Sequence, residues 1–124
     1  MSLEKIEKDE FLLVRYCQDA GSDHTSLKKG LEEEITNPAT MDKDTILEFI
    51  TTSAIYSMEI GIIVQYLKTF HGTKRTLRFV GSVYVREMLR TMNIHRIPNI
   101  ELYDSLDALQ LIYPAVDFSA LECG

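Results

Sequence analysis

The stretch TILEFITTSAIYSMEIGIIVQYLKTF, Thr45 to Phe70, decides the fold. Ile46, Leu47, Phe49 and Ile50 form a short apolar run with the composition of a buried strand, and a Thr/Ser-rich turn follows from Thr51 to Ser57. Beyond the turn the chain becomes a strongly apolar helix. That order sets the turn against a helix N-terminus, where free backbone N–H groups and the positive end of the dipole favour negative charge. Turns of this kind bind anions, carry catalytic groups or serve as phosphorylation switches.

The same alternation continues on both sides. Phe11 to Cys17 (FLLVRYC) reads as a strand, with Leu3 to Ile6 as a short edge strand before it. Asp19 to Asp23 is turn chemistry. Leu27, Leu31 and Ile35 then mark one apolar helix stripe, with Glu32, Glu33 and Glu34 towards solvent. Gly30 lies inside that helix at a cost of about 1 kcal/mol against Ala, and Asn37-Pro38 ends it. Downstream, Gly72 breaks the chain and Thr76 to Gly81 is the next strand. Ser82 is placed to cap a helix in which Val85, Met88, Leu89 and Met92 share a face. Asn93 to Asn99, containing Pro98, is a loop, and Ile100 to Tyr103 a short strand. Asp104 can cap a last helix carrying Leu106, Leu109 and Tyr113, stopped by Pro114. Strands alternating with helices predict an α/β domain, with a mostly parallel sheet of four to five strands and about four helices. Sites in such sheets gather at the carboxyl ends of the strands, where the 51–57 turn and the Gly81-Ser82 turn both fall.

Composition sets bounds on function. The 124 residues, 45% hydrophobic and 26% charged, suit one soluble globular domain. A net charge of −6 disfavours a nucleic-acid partner. The longest apolar run, Ile60 to Val64, is too short to cross a bilayer, so no membrane partner is expected. The opening MSLEKIEKDE has no apolar signal region, which points to the cytoplasm, and Cys17 with Cys123 makes no disulfide framework.

At this level the sequence resembles a STAS domain, the module of bacterial anti-sigma-factor antagonists and of the tails of SulP-type anion transporters. That family has a strand, a turn ending Asp-Ser-Ser-Gly or Asp-Ser-Thr-Gly, and a helix opening Leu-Gly; Ile55-Tyr56-Ser57-Met58-Glu59-Ile60-Gly61 falls on that pattern. Glu48, eight positions before Tyr56, stands where the family often has an acidic strand residue. RTLRFVGSVYVREMLRTMNI (75–94) resembles the family's next strand and helix, and IELYDSLDALQLI (100–112) its closing strand and Asp-Ser-Leu-x-x-Ala segment. The resemblance covers about residues 10 to 113, and implies a STAS-like domain with its core there.

The departures from the pattern carry the functional reading. The antagonists accept phosphate on the Ser or Thr directly before the motif's Gly, and that position is Met58, which has no hydroxyl. Tyr56 takes the place of the Asp and Glu59 that of the Gly; Ser57 and Gly61 keep the family type. Phosphorylation would add a charge of about −1.5 to −2 at the helix terminus. Glu59 instead offers one fixed carboxylate, expected at the surface, where the dipole favours it by roughly 0.3–1 kcal/mol. Glu59 also suits a first helical turn without any role, and Ser57 is a natural N-cap as well as a shifted phosphosite. Thr51, Thr52 and Ser53 offer further hydroxyls, though β-branched Thr at a strand end needs no special cause. Met58 suits either a contact surface or the core.

Enzyme chemistry finds little foothold. His24, His71 and His95 lack ligand spacing, so no metal is expected, and Cys17 reads as a small buried hydrophobe. Gly61, Gly72 and Gly81 are isolated and form no phosphate loop. Lys74, Arg75, Arg78, Arg86, Arg90 and Arg96 could hold an anion or simply balance the acidic excess. No cofactor is implied. The resemblance therefore implies a non-catalytic protein–protein module whose partner is an anti-sigma factor or other Ser/Thr kinase-type signalling protein. A second copy of the chain is another candidate partner. The expected contact surface comprises Thr51, Thr52, Ser53, Tyr56, Ser57, Met58, Glu59, Gly81, Ser82 and Tyr84. The alternatives are a nucleotide- or anion-sensing domain using Ser57 and Ser82, or a scaffold subunit of a larger assembly. A domain excised from a transporter tail is disfavoured by the start at Met1.

Overall fold

The computed structural model describes residues 3–18, 24–35, 43–51 and 57–121. Five strands, β1 (Leu3–Glu7), β2 (Phe11–Gln18), β3 (Asp44–Thr51), β4 (Leu77–Val80) and β5 (Ile100–Tyr103), lie in the sheet in sequence order. Strand β1 runs antiparallel to β2, and the other three pairings are parallel. Three α-helices, α1 (His24–Ile35), α2 (Ser57–Lys68) and α3 (Val83–Thr91), make the crossovers. Because successive parallel strands are added in one direction and crossovers share one hand, every helix returns on the same face. Leu27 and Leu31 of α1, Ile60, Ile63, Val64 and Leu67 of α2, and Val85 and Leu89 of α3 accordingly share one core with Leu12, Val14, Tyr16, Leu47, Phe49, Leu77 and Phe79 of the sheet. No helix among the described residues is long and apolar enough to cross a membrane.

The opposite face has a different cover. Phe11, Leu13, Ile46 and Val80 alternate onto it and pack beneath Leu106, Leu109, Tyr113 and Phe118. The expected last α-helix is here corrected. Leu106–Leu109 is a single 3₁₀ turn whose preceding Ser105 makes no side-chain cap bond, and a second 3₁₀ turn spans Phe118–Leu121. Leu106 and Leu109 fit three residues per turn, and the chain then flattens so that Tyr113 and Phe118 reach the sheet and stack around Phe11. The described residues thus hold three α-helices and not about four. Buried residues also extend beyond 10–113, to Leu3 and Phe118.

Charged residues stitch the strands together on this second face. Arg15 is buried; its Nε donates to Glu48 at 2.6 Å and its Nη2 to the Leu121 carbonyl. Arg78 donates to Asp44 at 3.1 Å, Glu101 at 3.0 Å and the Tyr113 hydroxyl at 2.6 Å, and Tyr113 in turn donates to Asp44 at 3.2 Å. On the helical face Glu34 is buried and pairs with Lys5 at 2.9 Å, which corrects the expectation that all of Glu32–Glu34 faces water. Gly30 also gains a reason there: a Cβ would lie 1.9 Å from a Leu3 methyl, so the glycine lets β1 close onto α1. Met92, expected on the buried stripe of α3, is its half-exposed C-cap.

Beside β4, Arg75 lies over the Phe70 ring and donates to the Lys43 carbonyl and the Thr45 hydroxyl. Burial pushes the Tyr66 hydroxyl up to about 12, against the opposing pull of Arg75 and of its hydrogen bond with Thr45. The folded state therefore holds this proton more tightly than the unfolded chain, whose tyrosines titrate near 10. Stability should be intact below pH 10 and fall between pH 10 and 12 by on the order of 2 kcal/mol from this residue. Urea unfolding across that window should show the fall, and Tyr66→Phe should remove its share. Phe118→Ala should cost about 3–5 kcal/mol in the same assay, because it opens the cover of the second face. A cost below about 1 kcal/mol would mean that this cover does not support the fold.

Candidate functional site

Because β3 and β4 are parallel neighbours, their carboxyl ends lie at the same end of the sheet, from which β4 leads into α3. The structure gives the residues expected there unequal parts. Thr52, Ser53 and Tyr56 lie outside the described residues, while Thr51 ends β3 and Ser57 and Met58 open α2. At the second turn Ser82 is exposed and caps α3, its Oγ accepting from Val85 N–H at 3.4 Å. The next two residues stand into solvent, Val83 at 62% and Tyr84 at 64% exposure. They are two of the exposed large apolar side chains among the described residues, with Met92, Leu111 and Ile112.

Two expected surface residues are buried. Gly81 lies against the Phe79 ring, where a Cβ would approach Cε1 to 2.6 Å, and its backbone N–H is given to Tyr103 O. It lets the chain turn closely past the Phe79 ring. Glu59 is 2% exposed, and its Oε2 accepts a 2.8 Å hydrogen bond from the Tyr16 hydroxyl of β2. The expected surface carboxylate is thus corrected to an internal tie. Buried carboxylates persist where donors meet them, and the first helical turn adds a favourable dipole. The Tyr16 ring packs on Phe49 with centroids 5.2 Å apart, so the tie joins β2 and β3 to the start of α2.

Arg75, Arg78, Arg86 and Arg90 do not assemble. Arg75 and Arg78 point to opposite faces of the sheet, each engaged as described above. Arg86 donates to the Gly81 carbonyl at 3.0 Å, and Arg90 pairs with Glu87. Glu48 is drawn into the buried pair with Arg15. Among the described residues no three His, Cys, Asp or Glu side chains group as metal ligands. Sequence reasoning missed Arg15 and Tyr16 as polar anchors; the alternation of FLLVRYC onto two faces was the available signal, since both faces of a central parallel strand must be buried.

Tyr16→Phe leaves the Glu59 carboxylate buried with one donor fewer, and should cost roughly 1–3 kcal/mol in urea unfolding. Hydrogen exchange should quicken first in the opening turn of α2. A loss under about 0.5 kcal/mol would show that the tie carries no weight. No protein-family model matches the chain, and no curated protein matches it. The side chains themselves therefore carry the functional reading.

Proposed function

We propose that the protein is a STAS-like regulatory module of the anti-sigma-factor-antagonist type, acting by protein–protein contact at the carboxyl end of the sheet. The observation that carries this reading is the pair Val83 and Tyr84, exposed at the start of α3, which follows β4, the parallel neighbour of β3. The residue order of the motif supports it, as does a five-stranded, mostly parallel sheet with its crossover helices on one face. With Met58 at the acceptor position the contact is unswitched. With Glu59 turned inward, the recognition rests on apolar and aromatic surface and not on a carboxylate standing in for phosphate. The anion-sensing alternative loses support, because four of its candidate cations, Arg75, Arg78, Arg86 and Arg90, are engaged with other groups of the chain.

Immobilised protein and a Val83→Asp, Tyr84→Ala variant would be compared for capture of a kinase-type anti-sigma factor from source-cell extract. Retention by the wild type and a loss of roughly tenfold or more in the variant is expected, as for removal of a central aromatic anchor. Both side chains are exposed, so the fold should be unaffected. Capture of no such kinase, or equal capture by both, would overturn the proposal. Offered ATP, the captured kinase should leave Ser57 unmodified by mass spectrometry; stoichiometric phosphate there would restore a shifted switch.

A further inference from the structure

The sheet has two edges among the described residues, and they differ in kind. Strand β1 (LEKIE) bears three charges, Glu4, Lys5 and Glu7, the usual means by which an edge resists pairing. Strand β5 (IELY) bears one, Glu101, and that carboxylate is already taken by Arg78 at 3.0 Å and by the Tyr103 hydroxyl at 2.6 Å. No proline or positive-φ residue interrupts it.

The direction of its main chain can be read from the parallel register. Asn99 and Tyr103 turn their carbonyls to β4, accepting from Leu77 N–H and Gly81 N–H. By alternation Ile100, Leu102 and Asp104 turn their main-chain groups outward. Ile100 N–H is already given to Ile97 O at 3.1 Å. That leaves the Ile100 carbonyl, both groups of Leu102 and the Asp104 N–H facing away from β4.

We propose that β5 is a self-association edge, pairing antiparallel with β5 of a second copy about a two-fold axis at Leu102. The pattern is self-complementary there. Leu102 exchanges both main-chain bonds with its own mate, and each Asp104 N–H meets the Ile100 carbonyl of the other chain. The one outward donor already used, Ile100 N–H, is the one for which this register offers only the acceptor side of Asp104. Side chains agree: Leu102, half-buried against the helical core, meets Leu102, and Glu101 faces Tyr103 of the other copy and not another Glu101. No like charges are opposed, which a shift of axis to Glu101 would force. The strand is short, so the dimer is weak and concentration-dependent. Each copy carries a net charge of −6, so added salt should strengthen association by screening the repulsion.

Sedimentation of the full chain from micromolar to millimolar concentration should show monomer passing to dimer, with the midpoint moving to lower concentration as salt rises. Hydrogen exchange at the Leu102 and Asp104 amides should slow in step with dimer formation. Leu102→Lys places two ammonium groups at the axis and should keep the chain monomeric. Asp104→Pro, at an exposed bend outside the core, removes an outward donor and should raise the midpoint at least several-fold while thermal melting at low concentration is unchanged. A chain that stays monomeric throughout, a dimer indifferent to both substitutions, or association that weakens with salt would overturn the proposal.

Discussion

The eight-residue parallel pairing of β2 with β3 is the constraint on which the rest of the structure depends. Its register lays Leu12, Val14 and Tyr16 beside Thr45, Leu47 and Phe49 on one face, and Phe11 and Leu13 beside Asp44 and Ile46 on the other. Neither face can be left to water without exposing large apolar side chains, so both need a cover. The crossover helices supply one cover as a consequence of strand order. The other comes from residues 106–121, which form only 3₁₀ turns and are held by Phe118 and Tyr113 in the apolar layer and by Arg15 and Arg78 at its edges.

The two-sided burial also explains the polar residues in the core. Arg15 sits in a strand position that must be buried, and it is tolerable because Glu48 lies directly opposite in the register and Leu121 supplies a carbonyl. Tyr16 occupies the next position on the other face, and its hydroxyl meets Glu59 from the first turn of α2. These contacts hold the carboxyl ends of β2 and β3 against the helix that starts the proposed recognition surface. The start of α2 is thereby tied to the sheet, and the exposed pair Val83 and Tyr84 stands at the start of α3.

Much of the fold was legible because local patterns and packing agree. The strand at Phe11, the stripe of α1, the Ser82 cap and the strand at Ile100 all appear where periodicity and cap chemistry place them. The segment after Asp104 misled because Leu106, Leu109 and Tyr113 have near-helical spacing, yet their common target is a flat sheet and not a groove between helices. Within the site, Ser82 and Tyr84 were legible as exposed residues, whereas Glu59 was not legible as buried. A helix-terminal glutamate looks alike from its neighbours in sequence whether it faces water or a tyrosine hydroxyl.

Sequence alone thus determined the succession of strands and helices as far as β5 and the mostly parallel character of the sheet, since each depends on residue type and short-range spacing. Tertiary structure alone decided which charges are surface and which are ties. Glu34 with Lys5, Arg15 with Glu48, and Glu59 with Tyr16 join residues 29, 33 and 43 positions apart. A side chain's partner at such a distance is set by strand register and helix docking, which no local pattern encodes.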